Sequence, residues 1–167
     1  MEKNTSLILS FLNEIGLKYS LEPIYTETFL PGLKLRTGIL IIDMEKLLYP
    51  GDILHEAGHL ACMPPAIRQT MSDNLESGDL HNGGEMMAIA WSYAACVYLK
   101  IDPEIVFHEN GYKNESKNLI ENFKGSNGIG MSLLQWLGMA YDEKQAIVKG
   151  VKPYPTMQMW LCTERPA

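Results

Sequence analysis

The chain has 167 residues, 46% hydrophobic and 20% charged, enough for one globular unit with a sizeable core. A formal charge of −6 and a pI near 5.2, with every Lys and Arg standing singly, argue against a nucleic-acid footprint. The longest uncharged apolar run, Met86–Leu99, is shorter than the roughly 20 residues a bilayer requires, so no membrane partner is expected.

The first element is read from "NTSLILSFLNEIG". Polar starters at Asn4–Ser6, apolar positions at Leu7, Ile8, Phe11, Leu12 and Ile15, and a stop at Gly16 predict an amphipathic helix. Its apolar stretch, Leu7–Leu12, is short and broken by Ser10, with neither a basic leader nor a small-residue cleavage site, which points to a mature helix and a cytoplasmic protein. From Lys18 to Asp43 the composition turns β-branched and aromatic, punctuated by Pro23, Pro31-Gly32 and Gly38. Two or three antiparallel strands are expected there, the last being "GILIID".

Next comes "GDILHEAGHLACMPP", residues 51–65. Gly51-Asp52 supplies a turn and an N-cap, the helix runs through Ala61, and Met63-Pro64-Pro65 ends it. Residues 66–84 lack periodicity and read as a loop, while "EMMAIAWSYAACVYL" is apolar on every side and reads as a helix through the core. Shorter helices are expected near 103–108, 114–124, 129–140 and 142–149, before a proline-punctuated, extended tail. The sum is an α+β fold in a single domain spanning 1–167. Cys62, Cys96 and Cys162 are widely spaced with apolar neighbours and read as buried free thiols.

The chemistry concentrates in His55, Glu56 and His59. Helical residues four apart share a face, so the two imidazoles can converge on one ion, and zinc accepts imidazole nitrogen in tetrahedral sets that leave a corner for water when catalytic. Glu56 lies about 100° around the helix from His55, poorly placed as a ligand but well placed to take a proton from metal-activated water. A shuffled chain of this composition would contain the pattern only about 0.006 times, so chance does not account for it.

A third ligand is needed. Glu85, at the start of the core helix beside apolar neighbours, is the leading candidate; the competing reading pairs it with Asn82 in a capping box that needs no metal. His81 is next and Asp79 weaker, while Asp73 and Glu76 read as solvated loop acids. Cys62 lies one turn too far along, and His108 reads as an end-of-helix histidine. Tyr112, Tyr141, Tyr154, His81, His108 and Arg68 all carry groups suited to stabilising an oxyanion, and spacing does not choose among them.

"HEAGH" matches the HExxH signature of zincin metallopeptidases, and Glu85 followed three residues later by Ala88 is similar to the gluzincin pattern. Zincins that continue HExxHxxGxxH are excluded by Pro65. The order strand, HEAGH helix, loop, E-x-x-A helix resembles the minimal zincin core of ImmA/IrrE-type proteins over roughly residues 35–100. The resemblance implies a small antiparallel sheet packed on the HExxH helix and on a second buried helix, with additional C-terminal helices. It also implies His55, His59 and Glu85 as Zn²⁺ ligands, Glu56 as catalytic base, and a peptide or protein substrate lying extended along an edge strand drawn from residues 35–42.

The expected activity is therefore zinc-dependent hydrolysis of a peptide bond, or another amide, by a Glu-activated, zinc-bound water. The alternative is a non-catalytic zinc-binding regulatory or interaction domain of zincin shape. A purely structural zinc would need a fourth protein ligand, for which His81 is available.

Overall fold

A computed structural model describes residues 2–73, 79–112, 115–124 and 128–164, with side chains for all of these except Glu2 and residues 79–82. The amphipathic N-terminal pattern forms α1 (Glu2–Ile15), which buries Ile8, Phe11 and Leu12 in the main hydrophobic cluster. Three short strands follow: β1 (Tyr19–Leu21), β2 (Leu33–Arg36) and β3 (Ile39–Ile42).

The sheet is mixed rather than antiparallel, in the order β1-β3-β2. β2 and β3 form the expected hairpin, with Leu33 opposite Ile42 and Arg36 opposite Ile39. Thr37 and Gly38 both take positive φ, 48° and 75°, as a two-residue turn matched to strand twist requires. β1 instead pairs parallel to β3, Tyr19 with Leu40 and Leu21 with Ile42. The intervening segment, residues 22–32, carries the chain back to start β2 on the far side of β3, so β1 and β2, although consecutive in sequence, are not neighbours in the sheet.

Beyond the sheet lie α2 (Gly51–Ala61), α3 (Pro65–Arg68) and α4 (Asp79–Leu99). Residues 66–84, read as one loop, thus contain most of α3 and the first turns of α4; residues 74–78 lie outside those described. α4 extends through Gly83 and Gly84 although each glycine costs about 1 kcal/mol in a helix interior. Its uninterrupted buried stretch, Met87–Cys96, shows why tertiary packing wins.

α4 packs chiefly on α2, and the closest approach is at Gly58, where an added Cβ would lie 3.0 Å from both the Cα and the O of Ala88. Ser92, one turn further, donates from Oγ to the Leu54 carbonyl at 3.3 Å. The Cβ-less position lets two backbones meet, and whatever projects from the adjoining turns of α2 and α4 is forced together.

The C-terminal half supplies a 3₁₀ turn (Pro103–Ile105), α6 (Ser116–Lys124), α7 (Met131–Trp136) and α8 (Glu143–Lys149), close to the expected helices but shorter, and α5 (Glu109–Tyr112), which was not expected. Asp102 and Asp142 cap two of these, accepting from Glu104 N and Gln145 N. Among the described residues the tail has no helix or strand, yet it closes the core: Trp91 Nε1 donates to the Trp160 carbonyl at 2.9 Å, and Phe11 meets the Trp160 ring edge-on. Cys62, Cys96 and Cys162 are all buried, with no disulfide among the described residues, and burial pushes the Cys96 thiol up to about 12. No helix among the described residues is long and apolar enough to cross a membrane.

Candidate metal centre

α2 begins two residues earlier than expected. Pro50 is the N-cap, without a side-chain cap bond, and Asp52 lies inside the first turn, buried, with Oδ1 2.9 Å from His108 Nε2. Asp52 therefore does not cap the helix, as its sequence position suggested; its carboxylate turns inward to a partner 56 residues away.

His55 and His59 do share one face. Their rings meet edge to face with centroids 4.8 Å apart, and their Nε2 atoms are 3.1 Å apart. Glu85, reaching over from α4, closes the triangle: Oε1 is 3.4 Å from His55 Nε2 and Oε2 is 3.2 Å from His59 Nε2. The capping box is overturned, because Asn82 lies within α4 rather than before it, and the Glu85 carboxylate is spent on the two histidines.

These three residues are the group that could hold a metal ion among the described residues. The donor set fits such an ion. Ligands 2.0–2.1 Å from a centre at tetrahedral angles stand about 3.3 Å from one another, and the nearest separations here are 3.1, 3.2 and 3.4 Å. Two neutral imidazoles and one carboxylate are also a set that zinc accepts with a further position open.

The electrostatics match that purpose. Burial alone would raise the Glu85 carboxyl, but hydrogen bonds from His55 and His59 outweigh it and hold the group well below the usual carboxylate range. Burial alone would lower His55, yet Glu85 reverses the balance and the imidazole is raised. His55 and Glu85 thus each favour the charged form because of the other, an ion pair in which a metal cation would take the place of the imidazole's proton beside the carboxylate.

Glu56 is half-buried on the neighbouring face. Burial pushes its carboxyl upward, opposed by His59 and His55 and reinforced by Asp73 and Glu85. Glu56 and His59 together open onto a groove of about 660 Å³ whose other walls are the 26–30 loop, β2 and residues 71–73.

The expected substrate edge is more restricted than residues 35–42. β3 is paired on both sides, which leaves β2 as the edge strand on this flank. There the outward-facing groups of Leu35 are already used: its N–H donates to Asp73 Oδ1 at 2.8 Å, and its carbonyl accepts from Asp73 N at 3.3 Å. Asp73, read as a solvated loop acid, is exposed and in addition plugs the sheet edge at Leu35. Ser72 and Met71 extend the contact by accepting from Thr37 N and Gly38 N.

The remaining candidates are placed as follows. The side chains of His81 and Asp79, and all of Glu76, lie outside the described residues. Cys62 is buried at the C-terminal end of α2, apart from the triangle. Of the oxyanion candidates, Arg68 donates to the Leu60, Met63 and Cys162 carbonyls, Tyr154 donates to the Ala90 carbonyl, and Tyr141 lies under the Lys149 ammonium. His108 is engaged by Asp52, and Tyr112 Oη lies 3.2 Å from His55 Nδ1. Nothing in the spacing of "HEAGH" announces Asp52–His108 or His55–Tyr112, since both contacts depend on how residues 103–112 fold back over α2.

No protein family, curated protein or solved structure matches the chain. What fold and site define is therefore a class: an α+β protein with a two-histidine, one-glutamate cluster able to hold a metal ion, the two histidines spaced as in HExxH.

Proposed function

We propose that this protein is a zinc-dependent hydrolase of zincin architecture, a metallopeptidase that cleaves a peptide bond with Glu56 as its base. The observation that carries the reading is the convergence of His55, His59 and Glu85 on one point while Glu56, on the adjoining face of the same helix, lines a groove shared with His59.

His55, His59 and Glu85 would hold the ion, and zinc is the metal such a set suits. When bound, the ion supplies Lewis acidity to a carbonyl oxygen and to water. The protein's own part is proton movement and exclusion of water. Glu56, ionised when free, takes a proton from the attacking water, and the same proton passes to the amine nitrogen as the C–N bond breaks. Its upward-shifted carboxyl is suited to both halves of that transfer, since a stronger base is also the conjugate of a weaker acid nearer working pH. The substrate is a peptide or protein segment in the groove between the 26–30 loop and β2. Three buried cysteines with no disulfide among the described residues fit a reducing compartment, and the cytoplasm is the proposed site of action.

The test is Glu56→Gln against wild type, scoring zinc content and hydrolysis of a mixed peptide library. Wild type should carry near-stoichiometric zinc and cleave, and the variant should keep the zinc and lose cleavage. Zinc uptake by wild type without turnover of any peptide would make this a metal-binding domain rather than an enzyme.

A further inference from the structure

His55 is held from behind. Its Nε2 faces Glu85 and His59, while Nδ1, on the opposite side of the ring, lies 3.2 Å from the Tyr112 hydroxyl. The half-buried phenol is therefore not beside the point where the three donors converge, so it is ill placed to meet a developing oxyanion. It is well placed to decide which nitrogen of His55 carries the proton.

The contact belongs to a two-point dock. Asp52 and His55 are three apart on α2 and share a face; His108 and Tyr112 are four apart on the turn leading through α5. Asp52 pairs with His108 and His55 with Tyr112, one helical turn apart. The first contact has a defined sense: His108 Nδ1 accepts from Gly111 N at 3.1 Å, so Nε2 carries the hydrogen and donates to Asp52. The Tyr49 ring stacks on His108 at 4.0 Å, and Asn110 Nδ2 donates to Tyr49 Oη. Phe107 meets the Tyr112 ring edge-on at 5.4 Å. Tyr112 is thus fixed from two sides before it touches the histidine.

We propose that Tyr112 is a positioning residue for the metal centre: its hydroxyl oxygen accepts from His55 Nδ1–H, which orients the ring and leaves the Nε2 lone pair free for the ion. This rests on the metal reading above. Carboxylates and main-chain carbonyls commonly take that place behind a ligating imidazole; here a phenol does, delivered by a segment whose anchor is the Asp52–His108 pair.

Tyr112→Phe keeps the ring and its Phe107 contact and removes only the acceptor. Zinc affinity, read by competition with a chromophoric chelator, should fall about 10- to 100-fold. The unfolding temperature of the metal-free protein should stay close to wild type, and the visible absorption of the Co²⁺-loaded form should shift. Because His108→Ala loosens the same dock, the double variant should bind zinc no more weakly than the weaker of the two single variants. Tyr112→Phe that binds zinc as tightly as wild type, with an unchanged Co²⁺ spectrum, would overturn the proposal and leave the metal site standing. Wild-type protein that takes up no zinc would overturn both.

Discussion

Gly58 lies against Ala88 so closely that a Cβ on the glycine would approach both the Cα and the carbonyl oxygen of the alanine to 3.0 Å. His55 and His59 flank Gly58 on α2, and Glu85 is one turn before Ala88 on α4, so this contact sets the reach between the donors. Gly58→Val forces a branched side chain against backbone that cannot step aside. It should cost about 1–3 kcal/mol of stability, read by thermal unfolding. Zinc uptake should fall as well, because separating the helices opens the triangle.

Glu85 should betray its role through pH. In the metal-free protein it raises His55 and is itself held low. The histidine's contribution is complete below its unfolded value of about 6.5 and fades as pH rises through the elevated folded value. The glutamate's contribution is complete above about 4.3 and fades as pH falls through the depressed folded value. Wild type should therefore exceed Glu85→Gln in unfolding temperature most clearly between about pH 4.5 and 6.5, with the gap narrowing towards pH 9. With zinc present the order of pH effects inverts, because protons and metal compete for the same imidazoles, and Glu85→Gln should bind the ion far more weakly than wild type at every pH.

His55, Glu56 and His59 were legible in sequence because their relation is a property of one helix: four residues apart on a face, with the glutamate turned aside. Glu85 was legible as chemistry but not as geometry. Ligand or cap depended on whether α4 began after Asn82 or before it, and burial of Met87–Cys96 against α2 decided that from outside the local string. The parallel pairing of β1 was hidden for a similar reason, since alternation identifies a strand without naming its neighbour. Tyr112 stood in the sequence only as one of several oxyanion candidates and Asp73 only as a loop acid, and the partner of neither could be read there. Each acts on a residue dozens of positions away, His55 and Leu35, and no periodicity links the two ends of either contact.

Glu56 should report its surroundings in the pH dependence of turnover. A base with its carboxyl pushed upward is ionised only above that raised value, so the rising limb of kcat/KM should lie higher than the ordinary glutamate value of about 4.3. Asp73 reinforces the shift, and Asp73→Asn should move the limb to lower pH without changing zinc stoichiometry. Steady-state rates across pH 4–8 on one peptide would show it; an unmoved limb would place the Asp73 charge too far from the base to matter.

Arg68 answers a different need, the unpaired carbonyls that every helix leaves at its C-terminal end. Its guanidinium donates to Leu60 O and Met63 O at 2.8 Å each, and reaches Cys162 O in the tail at the same distance. Cys162 N in turn donates to Ala61 O at 2.8 Å, so the end of α2 and the chain around Cys162 are fastened by one side chain and one main-chain bond. The positive charge also suits the negative end of the α2 dipole. Arg68→Ala should cost about 2–4 kcal/mol by stripping several carbonyls at once, and it should release the tail before the rest of the fold. Trp160, two residues from Cys162 and packed on Trp91 and Phe11, makes that visible as a red shift in tryptophan emission at temperatures where far-UV circular dichroism is unchanged. Arg68→Lys should recover less than half of the loss, because an ammonium lacks the planar fork that spans carbonyls on two segments.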